Sequence, residues 1–193
     1  ARGMGHVAEI FKPEKLERLV GNYAIGHVRY STYGESSAIN AQPIVIESWR
    51  GPIGIAHNGN LVNAPALRKR LEREGAIFQS TSDTEVILHL LARSPKDDLD
   101  AALVDALQLV RGAFSLLMIT PSCLYAARDP YGVRPLCLGR MNGAYVVASE
   151  TCAFDLNNAA YLRDIEPGEV VRIEGNDLYS FSLGNADRRA HCI

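Results

Sequence analysis

The alternation of apolar and polar residues divides the chain into a first group of strands, a block of helices and a second group of strands. Eight short apolar segments, bounded mostly by turn-forming residues, have the length of β-strands. The predicted strands are residues 23–30, 51–57, 113–120, 124–128, 136–140, 144–149, 169–173 and 178–181. Turn-forming residues join the last two pairs into hairpins, which favours antiparallel sheets.

Three helices are predicted in the middle of the chain, where apolar residues recur every three to four positions. The first follows Asn63, a typical N-cap residue. The second begins at Ser82-Asp83-Thr84-Glu85, which has the pattern of a capping box, and the third ends at Gly112. A doubly wound parallel sheet would require strict alternation of strands and helices. The order found here instead predicts an α+β domain with sheets covered by helices.

The composition is that of a globular domain and excludes several kinds of partner. With 193 residues, 47% of them hydrophobic, the chain is long enough for one domain with a full core. A formal net charge of -2 gives no electrostatic basis for binding nucleic acid or an anionic membrane. No apolar stretch is long enough to span a bilayer, and the start lacks the pattern of a signal peptide. Four cysteines without a C-x-x-C pair predict reduced thiols in a cytoplasmic protein.

Three polar motifs lie where strands end or helices begin, and each has a structural and a functional interpretation. Arg29 is either a surface or ion-paired arginine, or a bidentate clamp for a carboxylate. Asn58-Gly59 by itself predicts a hairpin turn, although these residues also offer the N–H donors of an oxyanion hole. Asp83 either stabilises the start of a helix or receives the ammonium group of a small ligand. A carboxylate clamp, an ammonium-binding acid and an oxyanion hole together describe a site for an amino acid.

Six motifs follow one another along the chain: GHVRYST, AHNGNLVNA, STSDTEVI, RDPYGVRPL, VASETCAF and EPGEVV. In this order and spacing the chain resembles the class II glutamine amidotransferases, and within them the glutaminase domain of the amidophosphoribosyltransferases. The resemblance runs from Gly3 to Ile193. It implies the four-layer αββα fold of N-terminal-nucleophile hydrolases. In that α+β fold two stacked antiparallel sheets lie between helices, and here the N-terminal strand segment is expected to be missing.

The resemblance also implies a reaction and roles for five residues. The family hydrolyses glutamine and supplies the ammonia to phosphoribosyl pyrophosphate, which gives 5-phosphoribosylamine in de novo purine synthesis. Arg29 would bind the α-carboxylate of glutamine, and Asp83 would bind its α-amino group. Asn58 and Gly59 would form the oxyanion hole, and Thr32 would lie near the glutamine.

Residue 1 departs from the family pattern. The family nucleophile is a cysteine at residue 1 of the mature chain, with its own α-amino group as the base. Residue 1 here is Ala1, and the first cysteine is Cys123. We therefore expect residues 1–193 to be a glutaminase domain truncated at its N-terminus, with the family's phosphoribosyltransferase domain absent after residue 193. On its own this chain is expected not to hydrolyse glutamine.

No cofactor is expected in this domain, whereas a full-length protein of this kind would use Mg²⁺ and, in some members, a 4Fe–4S cluster. Cys192 lies at the junction where those members place one cluster ligand, and such a cluster takes four thiolates. Other members keep a cysteine here without a cluster. The expected partners are glutamine, the protein's own phosphoribosyltransferase domain and further copies of the chain.

Three other interpretations are compatible with parts of the sequence. The chain could belong to a different class II amidotransferase, such as a hexosamine-phosphate or asparagine synthase, because the acceptor domain decides between them. It could be a non-catalytic module that binds an amino acid. An internal cysteine could also act with His27, His57 or His89 in the manner of papain, although no local signature supports this.

Overall fold

Two antiparallel β-sheets and six α-helices are formed by the residues that the computed structural model describes, 1–29 and 38–184. The strands are β1 (Ile44–Ser48), β2 (Gly51–Leu61), β3 (Gly112–Ile119), β4 (Leu124–Arg128), β5 (Cys137–Met141), β6 (Ala144–Ala148), β7 (Ala160–Asp164), β8 (Glu169–Glu174) and β9 (Asp177–Ser182). The helices are α1 (Val7–Ile10), α2 (Pro13–Leu16), α3 (Ala64–Arg73), α4 (Thr84–Ala92), α5 (Leu99–Leu109) and α6 (Cys152–Asn157), and Ala38–Asn40 form a 3-10 helix.

The described strands form one larger and one smaller sheet. The larger sheet has the order β1-β2-β3-β4-β8-β9, and the smaller one has the order β6-β5-β7. All neighbouring strands pair antiparallel. The longest helices, α3 to α5, occur as one block between β2 and β3. The predicted α+β class with two antiparallel sheets is therefore confirmed.

Alternation along the central strands separates two hydrophobic layers. On β4, Tyr125 and Ala127 pack with residues of α3, α4 and α5, whereas Ala126 packs with residues of the smaller sheet. On the outer face of that smaller sheet, the ring of Phe154 in α6 lies against Gly139, where an added Cβ would come within 3.1 Å of it. The layers therefore follow the predicted order of helix, sheet, sheet and helix.

The segment 23–29 is not a strand, contrary to the prediction for residues 23–30, of which residue 30 lies outside the described residues. Tyr23 Oη accepts a hydrogen bond from the Gly175 N–H in the turn between β8 and β9. The side chain of Ile25 lies near Gly54 of β2. The segment therefore runs across the inner face of the larger sheet, where its backbone cannot join a ladder. The other predicted strands end within four residues of their predicted positions, and β1 and β7 were not predicted.

The three central helices occur where the sequence predicts them, but their caps differ. Asp98 caps α5, because its carboxylate accepts a hydrogen bond from the Ala101 N–H at 2.9 Å. The capping box predicted at the start of α4 is not formed. Asp83 is the N-cap residue there, yet its side chain makes no capping hydrogen bond, and Glu85 bonds to Ser80 instead. Asp83 lines the cavity described below, and Glu85 fixes the loop that precedes it.

The described helices are all shorter or more polar than a membrane-spanning helix would have to be.

Candidate functional site

A cavity of about 380 Å³ opens at the end of β2 that β1 leaves uncovered. Four of the predicted site residues line it: Arg29, Asn58, Gly59 and Asp83. The remaining lining residues are Gly26, His27, Val28, Gln42, His57, Ser82, Arg134 and Ser149. The predicted residues Thr32 and Cys192 lie outside the described part of the chain, so their roles stay predictions.

The open edge of β2 determines where its backbone N–H groups point. Among the described strands, β1 pairs with β2 only as far as Ile55. On the other side of β2, β3 pairs with it as far as Leu61, the last residue of β2. Phe114 of β3 lies opposite Gly59, but its N–H and C=O are bonded to Asp129 on the far side. Gly59 and Phe114 are thus a non-hydrogen-bonded pair. The alternation of the ladder therefore directs the Gly59 N–H towards the open edge.

The N–H groups of His57 and Leu61, two residues before and after Gly59, point to the same open edge of β2. Each donates a hydrogen bond to a side chain. The His57 N–H donates to Gln42 Oε1 at 2.6 Å, and Gln42 Nε2 donates to the His57 carbonyl at 3.2 Å. The Leu61 N–H donates to Asp83 Oδ2 at 2.9 Å. The Gly59 N–H lies between these two bound positions and faces the cavity.

Asn58 and Gly59 lie inside β2, so the hairpin predicted from this dipeptide alone is wrong. Gly59 has φ of +154°, and a Cβ at this position would lie 2.0 Å from the Ala113 carbonyl oxygen. The glycine therefore permits a close strand pairing rather than a turn. Asn58 Nδ2 donates to Ser149 Oγ at 3.4 Å, which leaves its second N–H available to the cavity.

Asp83 is buried, with 7% of its surface exposed, and hydrogen bonds hold both of its carboxylate oxygens. Its Oδ2 accepts from the backbone of β2, and its Oδ1 accepts from Thr84 Oγ1 at 3.5 Å. The loop before it is fixed by Glu85, whose buried carboxylate accepts from the Ser80 N–H at 2.8 Å and from Ser80 Oγ at 2.5 Å. A carboxylate therefore lies at a fixed position on the cavity wall.

Two histidines that line the cavity, His27 and His57, have pKa values below the usual value for histidine. His57 Nδ1 lies 3.2 Å from Thr84 Oγ1 and 3.8 Å from Asp83 Oδ1. Burial lowers the pKa of His57, although the carboxylate of Asp83 opposes this shift. Burial and the neighbouring His57 lower the pKa of His27. The full charges facing the cavity therefore come from arginine and aspartate side chains.

The turn after β4 brings a second arginine, Arg134, to the cavity. Asp129 is fully buried, and its carboxylate accepts from the N–H groups of Tyr131, Val133 and Arg134 at 3.0 to 3.3 Å. The Arg128 guanidinium donates to the Arg134 carbonyl at 2.8 Å. These bonds fix the backbone from which Arg134 extends.

Gln42, His57, Arg134 and Ser149 line the cavity as well, although the sequence did not predict them there. Three of them, His57, Arg134 and Ser149, occur within the six motifs. Gln42 has no local signal, since only the register of β1 against β2 places it beside His57.

The described cysteines do not support an internal nucleophile. None of Cys123, Cys137 and Cys152 lines the cavity. Burial raises the pKa of the Cys137 thiol to about 11, so this thiol stays protonated at neutral pH. Within residues 1–29 and 38–184, no three histidine, cysteine or carboxylate side chains come together as a metal site.

A family model described as a glutamine amidotransferase domain matches residues 27–155. This span is about two-thirds of the chain, and it contains every cavity residue named above except Gly26. The chain belongs to the glutamine amidotransferase family. The predicted resemblance to this family is therefore confirmed.

Individual relatives of this glutamine amidotransferase domain are amidophosphoribosyltransferases. The chain is 48% identical over 192 residues to amidophosphoribosyltransferase 1, chloroplastic, of Arabidopsis thaliana, covering 99% of this chain and 34% of the relative. It is 45% identical over 194 residues to the amidophosphoribosyltransferase of Methanothermobacter thermautotrophicus, covering 100% of this chain and 41% of the relative. The chain thus spans between a third and somewhat over two-fifths of the length of these relatives.

A solved structure supports the same relationship at the level of the fold. The structure titled as the allosteric regulatory enzyme of purine biosynthesis matches with a TM-score of 0.90 and 45% identity, over 94% of this chain and 39% of that chain. The predicted N-terminal-nucleophile hydrolase fold is therefore confirmed.

Proposed function

We propose that the cavity binds glutamine and that this domain hydrolyses the side-chain amide of glutamine as part of an amidophosphoribosyltransferase. The observation that carries the proposal is that a cation, an anion and two adjacent N–H donors line one cavity. These residues come from separate segments of the chain, so their meeting is a product of the fold. A volume of about 380 Å³ is in the range of pockets that enclose small molecules.

The charged pair matches the two ends of an α-amino acid. Arg29 would donate two parallel hydrogen bonds to the α-carboxylate, as a guanidinium does to planar oxyanions. Asp83 would accept from the α-ammonium group, and its bonds to β2 and Thr84 fix it for this task. Thr32 is proposed to lie near the same ligand.

The donors at the end of β2 match the reacting carbonyl. One N–H of the Asn58 amide and the Gly59 N–H would donate to the oxygen that becomes negative when the amide carbon is attacked. Both groups are held before the ligand arrives, because Ser149 Oγ accepts from the other N–H of Asn58 Nδ2 and the ladder directs the Gly59 backbone.

The nucleophile implied by the resemblance is a cysteine at a mature N-terminus, which residue 1 of this chain does not provide. Its thiolate would form a bond to the side-chain carbon of glutamine and break the C–N bond, while the α-amine passes the proton to the leaving ammonia. Water would then cleave the thioester to give glutamate and restore the thiol.

The rest of the proposal concerns a longer protein. Residues 1–193 would be its glutaminase domain, and a phosphoribosyltransferase domain would receive the ammonia and use it to displace pyrophosphate from phosphoribosyl pyrophosphate. That domain would use Mg²⁺. We also propose that the protein is a cytoplasmic homo-oligomer and that Cys192 is a ligand of an iron–sulfur cluster.

The experiment is a glutaminase assay on the full-length polypeptide and on residues 1–193. Glutamate release is expected from the full-length protein and not from residues 1–193 alone. Asn58→Ala should lower kcat by roughly 10²- to 10³-fold, because one oxyanion donor is lost. Asn157→Ala is the control, since this exposed amide bonds only within α6. Turnover by residues 1–193 would contradict the missing nucleophile, and full activity of Asn58→Ala would contradict the oxyanion hole.

A further inference from the structure

On the β1 side of β2, backbone pairing ends at Ile55, and the backbone of His57 bonds to a side chain instead. From Ile44↔Ile55 to Ser48↔Gly51, β1 pairs with β2 in one continuous register. In the same register, residue 42 would come opposite residue 57, and residue 40 opposite residue 59. A strand that continued to residue 40 would therefore bond its carbonyl to the Gly59 N–H, because residues 57 and 59 point to the same edge.

The chain does not continue in this register. Gln42 offers its side-chain amide in place of its backbone, with Oε1 accepting from the His57 N–H at 2.6 Å and Nε2 donating to the His57 carbonyl at 3.2 Å. The chain before Gln42 leaves the sheet direction, and Ala38–Asn40 form a 3-10 helix.

We propose that Gln42 is a positioning residue for the oxyanion hole. Its amide ends the pairing of β1 with β2 and satisfies the backbone of His57, so that the next N–H on this edge, that of Gly59, faces the cavity. The inference rests on the proposed glutaminase function. Gln42 acts through the β2 backbone, although it also lines the cavity.

The test uses Gln42→Met in the full-length polypeptide. Methionine keeps the length of the side chain but makes neither hydrogen bond, so the end of β2 loses its fixed position. We expect kcat for glutamine hydrolysis to fall roughly tenfold, the effect of losing one to two hydrogen bonds, while KM changes by less than about twofold. Gln108→Met is the matched control, because Gln108 Nε2 donates to the Leu183 carbonyl at 2.8 Å and Gln108 does not line the cavity. This control should leave both constants unchanged.

A second readout does not depend on activity. Hydrogen exchange of the His57 backbone N–H should be faster in Gln42→Met than in the unmodified protein, because the bond to Oε1 is lost. Gln108→Met should leave this exchange rate unchanged, because Gln108 bonds to the Leu183 carbonyl and not to His57. Unchanged exchange in Gln42→Met would overturn the proposal, since the bond would then not limit opening in solution.

The kinetic outcomes separate the inference from the function on which it rests. A raised KM with unchanged kcat in Gln42→Met would overturn the positioning role and make Gln42 a ligand-binding residue. Unchanged kinetics in Gln42→Met together with a large loss in Asn58→Ala would end this inference and leave the proposed function standing. Full activity of Asn58→Ala would end both.

Discussion

Single residues in this domain are specified by backbone geometry as much as by side-chain chemistry, and Gly59 is the clearest case. Its φ of +154° is a conformation that other residues rarely adopt. A Cβ there would also lie 2.0 Å from the Ala113 carbonyl oxygen and 2.8 Å from His57 Nε2. The carbonyl belongs to β3 and cannot move without breaking the ladder, so the fold itself requires glycine at this position.

Gly59→Ala should destabilise residues 1–193 by about 3 kcal/mol or more, since backbone strain and a rigid clash act together. Urea unfolding measures the difference in free energy. Gly75→Ala is the first control, because its φ is +87° and nothing lies within 4 Å, so only strain of about 1 kcal/mol is expected. Gly26→Ala, without a positive φ or a near neighbour, should be close to neutral. A Gly59→Ala effect no larger than that of Gly75→Ala would show that the clash is relieved.

Residue type alone indicated part of the site. The charges of Arg29 and Asp83 and the N–H groups of Asn58 and Gly59 suggested their chemistry, but only the family resemblance placed all four in one site. No local pattern marks Gln42, because only the register of β1 against β2 brings it beside His57.

At the scale of secondary structure, the central helices were predictable and some strands were not. Periodic apolar positions and clear end signals predicted α3 to α5. Apolar and polar residues alternate in the segment 23–29 as in a strand, and yet this segment crosses the face of a sheet. Such alternation shows that one side of a segment is covered, but not that its backbone pairs with another strand. β7 is short and mostly exposed, which removed the hydrophobic signal on which its prediction depended.

The two sheets are linked by a charged cluster at Glu169. This carboxylate of β8 is 9% exposed and binds Arg163 of β7 through two hydrogen bonds of 2.8 Å. It also accepts from Ser180 Oγ of β9 and from the Glu166 N–H. Burial would raise the pKa of Glu169, but the bonds from Arg163, Ser180 and Glu166 outweigh it and lower the pKa below its usual value.

The linkage predicts a pH-dependent contribution from Glu169. Because the pKa is lower in the folded state, the ionised carboxylate stabilises the fold above its unfolded pKa. That stabilisation is lost as the pH falls through the folded pKa. Glu169→Gln should therefore lower the free energy of unfolding by about 2 kcal/mol at pH 7, with the difference shrinking in acid. Unfolding curves from pH 7 to pH 3 measure this.

Glu174→Gln on the same strand is the control for Glu169→Gln. Glu174 is more than half exposed, and its carboxylate lies 3.7 Å from Arg172, so its loss should have little effect at any pH. A difference for Glu169→Gln that stays constant with pH would contradict the linkage.

At the scale of the whole molecule, this domain is one part of the proteins it resembles. Its relatives are more than twice its length, and it covers 34% of one and 41% of another. The cavity contains groups that could bind an amino acid, but no described residue suggests a phosphoribosyl site. If the proposal is right, glutamine hydrolysis and use of ammonia are separate steps in separate domains. A change in the cavity should then affect only one of them.

Arg29→Ala in the full-length polypeptide tests this separation. Loss of the bidentate contact should raise the KM for glutamine by roughly 100-fold, the effect of losing two charge-assisted hydrogen bonds. Arg29→Lys keeps the charge without the planar fork and should give an intermediate KM. With free ammonia in place of glutamine, phosphoribosylamine formation should continue at the unmodified rate, because ammonia does not need the cavity. Arg140→Ala is the control, since this exposed arginine lies over Tyr145 outside the cavity. Loss of both activities in Arg29→Ala would point to a role in folding, and an unchanged glutamine KM would remove Arg29 from the site.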